Sequence, residues 1–150
     1  MQDILSKQLL KLDSHYQYLT DYHFFIQQLN FDFDIDSFNT LDISQKGVLE
    51  AYLKRFSSIQ DFLGSKVFKS LLDISGISYN KMSEVLTIIE KEQIINLDEW
   101  IEFRNLRNHL EHDYPDTLQR ALNDLKQCVD SFAQMENIIQ NVQKFANKYQ

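Results

Sequence analysis

Leu5, Leu9, Leu12, Tyr16 and Leu19 step by four, three, four and three, the spacing that lines one face of an α-helix. Phe25, Ile26 and Leu29 carry that element to about residue 30. The pattern then changes. FDFDIDSFNT alternates apolar and acidic positions and reads as a short extended connection. A second helical period opens at about Ser44, a suitable N-cap, and runs through Val48, Tyr52, Phe56, Ile59 and Leu63. Gly64 is expected to kink it, while Val67, Phe68, Leu71 and Leu72 extend the stripe to Gly76, which suits a helix C-cap.

Ser78 or Asn80 opens a third helix carrying Val85, Leu86, Ile88 and Ile89. After a short break, Asn96 with Glu99 resembles a capping box and starts a fourth helix, LDEWIEFRNLRNHLEH. Pro115, the only proline, disfavours helical geometry at Tyr114 and so ends that helix. Asp113 suits the N-cap of a last helix, with Asp116 three residues on and Pro115 tolerated in its first turn. Leu118, Leu122, Leu125, Val129 and Phe132, then Ile138, Ile139, Val142 and Phe145, predict one long element. No repeat or linker interrupts the chain. It predicts a single all-α domain over residues 1–150, an antiparallel bundle of about five helices.

Composition supports this. Three glycines and one proline are too few for the frequent turns of a sheet protein. With 43% hydrophobic and 25% charged residues, the chain of 150 reads as globular, with enough length for a core. No apolar run approaches the roughly 18 to 20 residues of a membrane helix, and MQDILSKQLLKLD lacks a signal-peptide core. Cys128 is the lone cysteine, so neither an internal disulfide nor a cysteine-rich metal site is expected. These features imply a cytoplasmic protein without membrane association. Lys and Arg number 15 against 22 Asp and Glu, a net charge of −7 that repels polyanions at long range. Nucleic acid, if bound, must be met by a small local site.

Several chemical candidates are excluded by spacing. Asp32, Asp34 and Asp36 resemble the start of a calcium loop, but Ser37 and Ile43 stand where that loop needs glycine and glutamate. His15 and His23 lie two turns apart, too far for one metal. His109 and His112 are one turn apart but lack a third ligand at a recognised spacing, so no metal is expected. Neither a Gly-rich phosphate loop nor a Ser-His-Asp pattern occurs, and no cofactor is implied.

Arg104 to Tyr114 is different. At about 100° per residue, Phe103, Leu106 and Leu110 share one face, while Arg104, Arg107, Asn108 and His112 fan across an arc of about 140° on the opposite side. Arginine forks two donors onto a phosphate, and histidine moves protons near neutrality. His112 sits near a helix C-terminus, whose partial negative charge favours imidazolium. The set suits phosphodiester cleavage. The competing reading is a solvated face, with Glu102, Glu111, Asp113 and Asp116 paired to Arg104, Arg107 and Arg120.

Arg107-Asn108, three residues, then His112-Asp113-Tyr114 resembles the signature of the HEPN superfamily, in particular its HepT-like branch. SYNKMSEVLTIIEKEQIINLDEWIEFRNLRN also resembles the helix, break and helix that lead into that motif, and the likeness covers residues 44 to 145. The resemblance implies a metal-independent endoribonuclease, the toxin of a bacterial toxin–antitoxin pair, with a composite site at a homodimer cleft. It implies that Arg107 holds the scissile phosphate of RNA, Asn108 orients the site and His112 transfers protons as the 2′-hydroxyl attacks. It further implies a nucleotidyltransferase antitoxin that inactivates the toxin by transferring AMP to Tyr114. Arg104 lies outside the core motif and is expected only as an accessory phosphate contact. The alternative function is a non-catalytic substrate-binding or partner subunit of a nucleotidyltransferase.

Overall fold

The computed structural model describes residues 2–112 and 117–149. The elements are α1 (Gln2–Gln28), α2 (Ile35–Asn39), α3 (Ile43–Phe62), a π-helical turn (Leu63–Val67), α4 (Phe68–Ser75), α5 (Met82–Lys91), α6 (Leu97–His112), α7 (Leu118–Asp130) and α8 (Phe132–Asn147). No strand occurs among the described residues, so the fold is all-α, as the apolar periodicity predicts. The helices are more numerous than five because three predicted segments divide or reorganise. No helix among the described residues is long and apolar enough to cross a membrane.

Leu5, Leu12, Leu19 and Ile26, seven residues apart, are the buried stripe of α1, which packs chiefly on α3. Leu9 and Tyr16 are only partly buried at its edge. Asn30, at φ 51, ends the helix; asparagine tolerates that left-handed geometry better than most residues. The segment expected to be extended instead folds into α2. The Asp34 carboxylate accepts the Ser37 amide at 2.8 Å and caps it, and these bonds hold Asp34 below the usual carboxylate range. The alternation that suggested an extended connection is explained by Phe31, Phe33 and Phe38, whose rings gather against one another (centroids 4.6 and 6.5 Å).

Asp42, rather than Ser44, caps α3. Its carboxylate accepts the Gln45 amide at 2.7 Å while Gln45 Oε1 accepts the Asp42 amide at 2.9 Å, a complete capping box. At Gly64 the helix widens into the π turn and then continues as α4 to Gly76, whose φ of 74 makes the expected left-handed C-cap. The α5 helix starts at Met82; Asn80 is not its cap but donates its amide to Glu84 at 2.8 Å. Asn96 does receive the Glu99 amide, at 3.0 Å, where α6 begins. The predicted last helix breaks at Ser131. Its hydroxyl donates back to the Gln127 carbonyl at 2.7 Å, a bond that competes with the helical ladder, and α8 restarts at Phe132. The expectations for Asp113, Asp116 and Pro115 lie outside the described residues.

Trp100, Phe103, Leu106 and Leu110 seat α6 on the core. Phe103 meets Phe56 edge-on (5.4 Å, 78°), and Trp100 packs against Phe68 of α4 at 5.2 Å. These contacts fix the face of α6 that carries the arginines beside the π turn.

Candidate functional site

The buried stripe of α6 begins at Trp100, one turn before Phe103, and this changes where the polar residues lie. By helical geometry Trp100 falls between Arg104 and Arg107 on the helix surface. Arg107 therefore does not stand opposite the core. It is wedged at the margin of the buried stripe, its side chain 18% exposed, and forms an ion pair with Asp61 of α3. Arg104 and Asn108 are exposed, as expected. The acid facing Arg107 thus comes from another helix, and not from Glu102, its neighbour on α6. The side chain of His112 and the whole of Tyr114 lie outside the described residues.

Arg104 and Arg107 line one cavity of about 170 Å³ between α6, the π turn and α5. Gln60, Asp61, Gly64, Met82, Leu86 and Trp100 complete most of its wall. Gly64 sits where the π turn comes nearest to Trp100; a Cβ there would meet the indole Cζ2 at 3.4 Å. Single π turns inside longer helices recur at functional sites, because the extra residue turns side chains away from the regular ladder.

Gln60 is the buried polar residue of this cavity, 2% exposed. Its Nε2 donates weakly to the Trp100 carbonyl at 3.4 Å, and its Oε1 has no protein partner. Arg107 Nε is likewise buried and unpartnered. Two of the three such side-chain atoms among the described residues therefore belong to one cavity; the third is Gln8 Oε1 on α1. Leaving a buried donor or acceptor unmet costs about 1–3 kcal/mol, so two around one cavity call for an explanation.

The other titratable residues fall elsewhere. His15 Nδ1 faces Arg55 Nη1 at 2.9 Å, and burial first, then the Arg55 and Lys11 charges, hold this imidazole below its ordinary value. His23 stacks on Phe132 with centroids 4.1 Å apart, and burial lowers it too, against a backbone hydrogen bond at Val129. Cys128 is fully buried and burial pushes its thiol up, which makes it an inert core residue. Among the described residues no group of three or more His, Cys, Asp or Glu is placed to hold a metal.

No protein-family model, curated protein or solved structure matches this chain significantly. Sequence reasoning located Arg104 and Arg107 but missed Gln60, Asp61 and Trp100. Gln60 carried a signal: it stands four residues after Phe56 and three before Leu63, a polar residue inside a buried stripe. Asp61 carried none, because its partner lies 46 positions away.

Proposed function

We propose that this chain is a metal-independent endoribonuclease of the HepT-like HEPN kind, the toxin of a pair with a nucleotidyltransferase antitoxin. The observation that carries the reading is the placement of Arg107, first residue of the Arg107-Asn108…His112-Asp113-Tyr114 motif, in a cleft shared with Arg104 on an all-α scaffold. Two guanidiniums in a partly enclosed site bind a phosphodiester far better than the same charges on an open face, despite the net charge of −7. Arg107 stabilises the charge that develops on the phosphate. His112 accepts or returns the proton as the RNA 2′-hydroxyl attacks phosphorus and the 5′-oxygen leaves, which yields a cyclic phosphate end. Asn108 orients the site, and two copies of the chain complete it across a homodimer cleft. AMP on Tyr114 adds negative charge and bulk to the motif and opposes RNA binding.

The test is cleavage of total RNA and tRNA by the purified chain with EDTA present throughout. Wild type is expected to cut. His112→Ala and Arg107→Ala are each expected to lower the rate about 100-fold or more while helical content is unchanged. Equal cleavage by wild type and both variants, or cleavage that EDTA abolishes, overturns the mechanism. Incubation with the antitoxin and ATP is expected to add AMP to wild type and not to Tyr114→Phe.

The ion pair at Arg107 favours one second reading, the non-catalytic partner of a nucleotidyltransferase. Asp61 already neutralises the arginine on which cleavage depends. That reading expects tight association with the enzyme and no cleavage by the free chain.

A further inference from the structure

We infer that the cavity between α6 and the π turn is a nucleobase pocket, which takes one unstacked base with its phosphate at the rim beside Arg104. The inference rests on the ribonuclease reading and names the part of the substrate that this site recognises. A cavity of about 170 Å³ that opens to solvent has room for one heteroaromatic ring system, with the rest of a nucleotide outside its mouth. Its walls supply what the faces of a base need: the Trp100 indole, Met82 and Leu86 are apolar. Behind these walls lie two unpaired polar atoms of lining residues, the acceptor Gln60 Oε1 and the donor Arg107 Nε, which a base meets once those side chains turn toward it. Every base carries an adjacent donor and acceptor along its pairing edge, and in single-stranded RNA that edge is free to be read.

The phosphate has a place as well. Arg104 is an exposed residue of the same cavity and makes no ion pair among the described residues. A base seated inside thus leaves its phosphate at a rim that carries a free guanidinium. A phosphate alone would engage Arg104 but would leave the Gln60 oxygen unmet and the apolar walls wet. A simple hydrocarbon would fill the walls and leave both polar atoms unmet. The combination of apolar walls, the Gln60 amide and a rim where exposed Arg104 stands beside the Arg107–Asp61 pair fits a nucleotide unit of RNA.

Trp100 is the only tryptophan of the chain, so its fluorescence reports this cavity and no other place. The experiment titrates His112→Ala protein, which cannot turn substrate over on the proposed mechanism, with the four nucleoside 3′-monophosphates and with inorganic phosphate. At least one nucleotide is expected to change Trp100 emission in a saturable way and to bind about tenfold or more tightly than phosphate. Gln60→Leu, combined with His112→Ala, is expected to erase that preference and leave the weak response to phosphate. Gly64→Leu, which adds a side chain to the cavity wall, is expected to do the same by occupying space. Indifference to all nucleotides, a response equal to that of phosphate, or an unchanged preference in both variants overturns the inference. Cleavage by wild type without any nucleotide response sinks the pocket and leaves the ribonuclease reading standing. A base-dependent response in a chain whose wild type never cleaves does the reverse, keeping the pocket and removing the ribonuclease.

Discussion

The α1 flank and the α6 cleft both collect titratable and cationic side chains, yet they treat them differently. On the α1 flank the ionisable groups find partners, and Gln8 Oε1 is the one buried side-chain atom left unmatched there among the described residues. Arg55 lies between the His15 nitrogen and the Tyr18 ring, the latter 4.6 Å from the guanidinium carbon. Tyr16 donates to Glu136, and the buried Tyr52 hydroxyl donates to the Cys128 carbonyl at 3.1 Å. In the α6 cleft, Gln60 and Arg107 each keep a buried atom unmatched beside empty volume. The difference separates polar groups that serve the fold from polar groups held ready for something else. A satisfied network contributes to stability, whereas an unsatisfied one is tolerated at a stability cost and marks a site.

Phe56 and Gln60 put that contrast on one helix, one turn apart, with nearly equal burial. Phe56 packs on Phe103 and Tyr52, so Phe56→Ala is expected to destabilise by about 3–5 kcal/mol through lost contacts and the cavity left behind. Gln60→Leu is expected to go the other way. It removes an unmet carbonyl, gives up only a long bond to a helix carbonyl, and keeps much the same volume, for a gain of about 1 kcal/mol. Urea denaturation of both variants checks the pair. A loss of more than about 1 kcal/mol in Gln60→Leu would place its amide with the α1 groups, as part of the fold.

The features legible from the sequence are those whose causes are local. The α1 stripe, the Gly76 cap, the Asn96–Glu99 start of α6 and the burial of Cys128 each follow from spacing within a turn or two. Local signals also misled. Alternation in FDFDIDSFNT suggested an extended connection, but Asp34 offers a cap and the phenylalanines cluster around a short helix. The break at Ser131 was hidden because apolar residues persist on both sides of it. At the candidate site, the arginines were visible as a motif. Their environment was not, since Asp61, Gln60 and the π turn reach α6 only through tertiary packing. The placement of Arg107 at the edge of the core, against the expectation of an outward face, follows from Trp100 widening the buried stripe.

The smallest effect expected is on the pH dependence of stability, and it tests the α1 side alone. His15 and His23 are both held below 6.5 in the folded chain, chiefly by burial. The unfolded chain therefore binds their protons first. Their contribution to stability is complete above about pH 6.5 and declines as pH falls from there through the folded values. Glu99, raised by burial and by Glu102, acts oppositely: its contribution is complete below its ordinary 4.5 and is lost as pH rises through its folded value. Comparing wild type with His23→Phe cancels the Glu99 contribution, since both carry it. The phenyl ring can keep the stack on Phe132 and has no proton to take up. Thermal melting between about pH 7.5 and pH 5.5 is expected to fall less steeply for the variant. Its rate of RNA cleavage is expected to keep the wild-type pH profile, because on the proposed mechanism that profile belongs to His112. If His23→Phe moved the activity profile and left the melting curve unchanged, the assignments of the two regions would have to be exchanged.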